Sequence, residues 1–320
     1  MNNILRYYCA VFIGLFSNSV AGAQLPEYLK LHADTTPAEI RKFHYKLATY
    51  LAKPCKTETE KAVIFTYWIA KNIRYDLKES RENGRNKIAR EVLNDKRAVC
   101  GGYSDLMKQL CDDVDLRCYY VSGYAWGGFF EHYLSQDKNR HAWNVVHVDG
   151  SWKVVDVTWS RDQLKTKEFK NSRTIKWVFM NPIEFAATHL PRDPRWQLLN
   201  DPKTAPEFWK KEEFVKRKYN SSDSLKILLK KDRVDGRIIS IKGIFTEDGQ
   251  VEEFVNNLNL LGFELVGGGY DSTNISRSVS VFNIATAYYN SYAPYKNHKD
   301  HLTAIKTGLW LAKRRMEMKK

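Results

Sequence analysis

Apolar positions recur at three- and four-residue intervals through the first third of the chain and change to short continuous runs after residue 116. The clearest helical stripe is Ala62, Phe65, Trp68, Ile69 and Ile73, which predicts an amphipathic helix over 58–74. Ahead of it, Thr36-Pro37-Ala38-Glu39 carries a helix-start signature, with Pro in the first turn and Glu inside it. That helix is expected to run to Ala52 and stop before Pro54. The charged stretch 78–87 reads as a surface loop, followed by a short helix near 88–94. Cys100-Gly101-Gly102-Tyr103 then opens a helix whose buried face carries Leu106, Met107 and Leu110. Strands are expected at 117–124, 141–148 and 151–157, the last two joined by the hairpin signal Asp149-Gly150. Helices first and an antiparallel meander afterwards predict an α+β fold rather than a doubly wound parallel sheet.

The segment 190–206, rich in Pro and Asp, reads as a domain boundary. Beyond it the pattern suggests two strands within 224–246, a helix at 250–261 and a strand at 262–268. Helices at 278–292 and 300–316 flank a turn at Pro294. The expected division is therefore a domain over 24–205 and a smaller, mixed C-terminal region over 206–320.

Composition sharpens this outline. With 320 residues, 43% hydrophobic and 13% aromatic, the chain can bury a proper core without staples. Its net charge of +14 invites a nucleic-acid reading, and the N-terminus argues against it. Arg6, the apolar stretch 7–16 and Ala21-Gly22-Ala23 read as the three parts of a secretory signal peptide over 1–23. A mature chain beginning near Gln24 would be secreted or periplasmic, with no stable membrane span and no nucleic acid to meet. The charge is also spread out. Without Arg6 it is +13, made of +7 in 24–200 and +6 in 201–320, as expected of a solvated basic surface.

Five cysteines remain to be placed. Cys9 falls within the leader, leaving Cys55, Cys100, Cys111 and Cys118, with no CxxC pair. Cys111 and Cys118 read either as core thiols or as a disulfide. A catalytic thiol needs a base and a group that orients the base, and the sequence offers both in order. Cys100 begins a helix, where unpaired N–H groups favour an anion, and Gly101-Gly102 would let substrate approach. His141 opens one hairpin strand and Asp156 lies near the end of its partner. With a two-residue turn, Val148 pairs with Ser151 and Asp156 falls opposite Trp143, diagonal to His141. His132, His141 and His147 invite a zinc reading, but no ligand spacing supports it. Asn220-Ser221-Ser222 and Asn274-Ile275-Ser276 match glycosylation sequons.

Three blocks carry a resemblance: Val99-Cys100-Gly101-Gly102-Tyr103, His141-Ala142-Trp143-Asn144, and the run from Trp152 through Asp156 to Trp159. In this order they resemble the motif blocks of transglutaminase-like proteins. Ile73-Arg74-Tyr75-Asp76 is similar to the helix end before them. His189-Leu190-Pro191, Asp193-Pro194 and Trp196-Gln197-Leu198-Leu199 resemble the segment after the core in kyphoscoliosis peptidase-type members. The resemblance, over about residues 35–205, implies a papain-related fold with the Cys helix packed on an antiparallel sheet. It also implies Cys100 as nucleophile, His141 as general base and acid, and Asp156 as the orienting group. The implied reaction is acyl transfer through a thioester on peptide or protein substrates, with no metal or organic cofactor. The Cys100 N–H and the Trp126 indole are candidate oxyanion donors, and Trp126 and Trp143 candidate cleft walls. The rival readings are a catalytically inactive transglutaminase-like module that binds protein or glycan, and a basic adhesion module on anionic envelope polymers.

Overall fold

The computed structural model describes residues 22–78, 87–127, 139–210, 221–232, 272–291 and 299–318, with scattered positions between 235 and 266. Residues 1–21 of the expected leader, the loop positions 79–86, His132 and Asn220 lie outside the described residues.

The helix Glu58–Asn72 forms as its periodicity predicts and is buried from Ala62 to Ala70. Its start is fixed reciprocally. Thr57 Oγ1 accepts the Glu60 N–H at 3.1 Å, and the Glu60 carboxylate accepts the Lys56 N–H at 2.5 Å. The single helix expected over 36–52 is instead a 3-10 turn, Ile40–Lys42, and a helix, His44–Ala52, parted by an extended Phe43. The Arg41 guanidinium donates to the Thr36 carbonyl at 2.9 and 2.6 Å, so a side chain takes the acceptor that a continuous helix would give to a backbone N–H. The short helix after the loop, Ala89–Asp95, and the Cys helix, Cys100–Asp112, both appear where expected.

Among the described residues eight strands succeed one another along the chain: β1 (Ala23–Gln24), β2 (Arg74–Tyr75), β3 (Arg97–Ala98), β4 (Cys118–Ala125), β5 (Arg140–Val148), β6 (Ser151–Val155), β7 (Thr174–Ile175) and β8 (His189–Pro191). The central antiparallel sheet has the order β6-β5-β4-β8; β1 pairs with β7, and β2 runs parallel to β3. The β5–β6 hairpin has the expected register, with Val148 opposite Ser151. Asp149 and Gly150 both hold positive φ, 47° and 79°, the pattern of a type I′ turn. The β6 strand ends at Val155, short of the expected residue 157, because Asp156 turns out of the ladder to cap the helix Val157–Gln163.

The stretch expected as a boundary begins inside the sheet: β8 pairs with β4, placing Ala125 opposite His189 and Gly123 opposite Pro191. Only glycine fits at 123, where a Cβ would stand 2.2 Å from the Leu190 carbonyl oxygen. One face of the sheet contributes Cys118, Val146 and Val148 to a core with the helices around Phe65 and Leu106. The other packs Tyr119, Val121, Trp143 and Val145 against Trp196, Leu225 and Leu228.

Every regular element described beyond residue 205 is a helix, and much of 233–271 lies outside the described residues. Residues 221–230 form a helix, which takes up the start of the stretch 224–246 expected to hold two strands, and positions 261–263, 265 and 266, at the strand expected over 262–268, are helical as well. Leu225 and Leu228 are buried while Lys226, Ile227, Leu229 and Lys230 are exposed, a three-residue recurrence that suits a helix and not a pleat. The final pair, Ser272–Ser291 and Lys299–Glu317, forms the expected helical hairpin. Among the described residues no helix is long and apolar enough to cross a membrane.

Candidate active site

Cys100 is the first residue of a 13-residue helix, preceded by the extended Val99. The ladder of that helix begins with the Gly102 N–H donating to the Val99 carbonyl at 2.9 Å, so the Cys100 and Gly101 N–H groups lie ahead of it. Gly102 serves packing rather than substrate approach: a Cβ there would meet Ala98 Cβ at 2.6 Å and Val92 Cγ2 at 3.0 Å. Tyr103 Oη donates to the Ile73 carbonyl at 2.6 Å, and Asn144 Nδ2 donates to the Ser104 carbonyl at 3.0 Å. These two bonds tie the helix to the end of Glu58–Asn72 and to β5.

The structure brings Cys100, His141 and Asp156 together. His141 Nε2 donates to Asp156 Oδ2 at 2.8 Å, both side chains being fully shielded from solvent. The Cys100 side chain lies close enough to the His141 imidazole to help raise its basicity. Asp156 Oδ1 accepts the Trp159 N–H at 2.9 Å, while the Asp156 N–H donates to the Trp177 carbonyl at 2.9 Å. Asp156 is thus a helix cap and an orienting carboxylate at once, and the cap fixes its rotamer.

The same carboxylate receives a residue to which the sequence alone assigns no role. His189 Nε2 lies 3.1 Å from Asp156 Oδ2, and its Nδ1 lies 2.8 Å from Thr188 Oγ1. Its ring stacks on Phe185 with centroids 3.9 Å apart. A His 33 positions after its partner in sequence leaves no spacing signal; only the pairing of β8 with β4 carries it to the site.

Aromatic rings close the pocket from water. Trp159 lies 5.7 Å from the His141 ring and 4.5 Å from His189; Trp143 lies 6.0 and 5.1 Å from them. Trp143 is fully buried and forms the floor under the two imidazoles, not the cleft wall expected of it. Trp126 is half-buried just past β4, its ring edge-on to Trp209 at 6.2 Å and its backbone N–H donating to the Thr188 carbonyl at 2.8 Å.

Burial disfavours charge on His141, but the Asp156 carboxylate and the hydrogen bond to it outweigh burial, helped by Cys100, and raise the imidazole to about 10. Burial likewise works against the Asp156 anion, yet His141 first and His189 next hold it far below the usual carboxylate range. His189 is pushed down to about 4, by burial first and against the pull of Asp156. These opposed shifts favour an imidazolium at His141, a carboxylate at Asp156 and a neutral imidazole at His189.

The described cysteines are all unbonded thiols, so the disulfide alternative for Cys111 and Cys118 is not taken up. Burial first, and the neighbouring Cys118 next, push the Cys111 thiol well up; burial and then Glu60 push Cys55 to about 12. Neither of these two is poised as a nucleophile, whereas Cys100 faces both a helix N-terminus and an imidazolium.

The zinc reading of His132, His141 and His147 has no counterpart among the described residues. His147 sits near the turn, opposite Trp152, six residues along the strand from His141. The group able to hold an ion is instead His141, Asp156 and His189, whose ligand atoms lie within 4.8 Å of one another. Asp156 Oδ2 already accepts from both imidazoles, so the group reads as a proton-holding network.

Residues 45–157, which include all three of Cys100, His141 and Asp156, match the family model of the Transglutaminase-like superfamily. The chain is 26% identical over 183 residues to kyphoscoliosis peptidase of Mus musculus, covering 56% of this chain and 28% of that protein. It is 28% identical over 167 residues to kyphoscoliosis peptidase of Homo sapiens, covering 51% and 25%. The chain thus spans about a quarter of the length of these curated relatives. A solved structure of a TGase is 18% identical, covering 44% of this chain and 35% of that one, at a TM-score of 0.29, a likeness too slight to build on.

Proposed function

We propose, from the transglutaminase-like domain that residues 45–157 carry, that the protein is an exported, cysteine-dependent amide hydrolase or acyltransferase acting on peptide or protein substrates. The observation that carries this reading is the alignment of Cys100, His141 and Asp156, with an imidazolium held against the thiol at a helix start. Positive potential from both sources favours the attacking anion.

The Cys100 sulfur attacks an amide carbonyl carbon, and the oxyanion gathers at the Cys100 N–H, with the Trp126 indole as the second donor. Collapse breaks the C–N bond as His141 passes its proton to the departing nitrogen, leaving a thioester and a neutral imidazole. Water or a primary amine then attacks the thioester while His141 takes its proton. The thiolate leaves, and the thiolate–imidazolium pair is restored. Kyphoscoliosis peptidase, as the name of the relatives, favours water as acceptor and a peptidase over a cross-linker. The leader-like residues 1–23 support a secreted or periplasmic location.

The test compares wild type with Cys100→Ala for peptide cleavage and ammonia release on a peptide library, with and without a primary amine. Activity that disappears with the sulfur supports the reading, and incorporation of the amine shifts it to transfer. Equal activity in the two proteins sinks it and leaves a binding module.

A further inference from the structure

We infer that His189 is a positioning residue of this site: a neutral imidazole, locked in one tautomer, that holds the Asp156 carboxylate in line with His141. This rests on the proposed thiolate chemistry of Cys100, and it concerns a residue beyond residues 45–157, the stretch that the family model matches.

Hydrogen-bond donors and acceptors around the carboxylate decide the point. Asp156 is wholly buried, and a buried carboxylate stays ionised only when donors satisfy both oxygens. Trp159 N–H satisfies Oδ1, and His141 Nε2 and His189 Nε2 share Oδ2 at 2.8 and 3.1 Å. Because the carboxylate is charged, His189 must present an N–H to it. The titratable groups facing His189 are Asp156 and His141. A second imidazolium beside that of His141 would repel it, so the useful donor is an uncharged one, with its proton on Nε2 and an acceptor at Nδ1.

Thr188 can supply what this tautomer needs: its Oγ1 lies 2.8 Å from Nδ1 and 3.3 Å from the Phe185 carbonyl oxygen, and its one proton can go to the nearer acceptor. Phe185, stacked on the ring at 3.9 Å, and Trp159, at 4.5 Å, fix its plane. The backbone does the same from below, since His189 pairs with Ala125 across the sheet. Without His189, Oδ2 keeps only the His141 donor, and the buried charge pair gives way to its neutral form. The imidazolium that favours the Cys100 anion is then lost.

The test uses the full chain and follows alkylation of Cys100 by iodoacetamide, read by peptide mass spectrometry, from about pH 4 to about pH 9. His189→Gln places an amide N–H near the position of Nε2, whereas His189→Asn reaches only as far as Nδ1. Wild type is expected to be alkylated readily near pH 6, where an imidazolium faces the sulfur, and the Gln variant to keep most of that rate. The Asn variant is expected to lose roughly tenfold or more near pH 6 while matching wild type near pH 9, where any thiol ionises. An Asn variant that keeps the acid-side rate overturns the inference alone, as does an equal slowing of both variants at every pH, which marks a structural role. A wild-type chain without the acid-side rate overturns the thiolate reading itself and the inference with it.

Discussion

A buried carboxylate is costly unless its oxygens find donors, and Asp156 finds three, from Trp159, His141 and His189. Substituting Asn keeps the side chain's shape and its capping oxygen while removing the charge that holds the imidazolium. Asp156→Asn is therefore expected to lower turnover by roughly 10²–10⁴, and to lower the melting temperature more at pH 6.5 than near pH 10, where the charge pair no longer contributes. A fall of the same size at every pH instead would show that the residue's main task is the cap. The two histidines titrate in opposite senses. His141, raised from 6.5 to about 10, stabilises the fold fully below pH 6.5 and loses this contribution as pH rises through about 10. His189, lowered from 6.5 to about 4, is neutral when folded and protonated when unfolded between those values, so stability falls as pH drops from 6.5 to 4. Together they favour the folded state most near pH 6.5. Thermal melts across pH should show His189→Gln flattening the acid side only; a Gln variant with the wild-type acid slope would contradict the assigned protonation. At this scale the Cys, His and Asp were legible because three residue types stood in order within recognisable blocks. His189 stood out only as part of the His189-Leu190-Pro191 resemblance, and its role was not legible, since nothing beside it tells of a carboxylate 33 positions away.

Elements gave up their positions where periodicity was strong and misled where it was short. Glu58–Asn72, Cys100–Asp112 and the β5–β6 hairpin all follow from stripe, helix start and turn chemistry. The start of the stretch 224–246, expected to hold two strands, is a helix because Leu225 and Leu228 are three apart, a spacing that a short apolar run hides among its other apolar residues. The same gap between local pattern and packing explains Gly102. Its sequence setting beside Cys100 suggested room for substrate, while its surroundings are Ala98 and Val92. Gly102→Val should therefore push the Cys helix off β3 and destabilise the protein by about 1–3 kcal/mol, read from denaturant midpoints. A variant with unchanged stability but altered substrate affinity would restore the substrate-approach role.

Across the whole molecule, residues past the matched stretch complete the sheet that carries the site. β8 closes its edge, and the helix Ser221–Lys230 inserts Leu225 and Leu228 into the cluster around Tyr119, Trp152 and Trp196. Arg117 Nη1 anchors that helix by donating to the Leu228 carbonyl at 2.7 Å. Leu228→Ala is thus expected to destabilise the sheet by about 2–4 kcal/mol, a core-type cost. Two separate melting transitions with the one carrying the site unmoved would show that helix to be energetically independent. What the sequence determined by itself was everything local in cause: helix periodicity, the Asp149-Gly150 turn with its register, the α+β class and the order of thiol, imidazole and carboxylate. Tertiary structure alone decided which face each aromatic serves, that Asp156 leaves its strand to cap a helix, and that His189 meets Asp156. Those outcomes depend on contacts between residues far apart in the chain, whose free energy comes from burial and from satisfying buried charge, and neither is written in any single stretch of sequence.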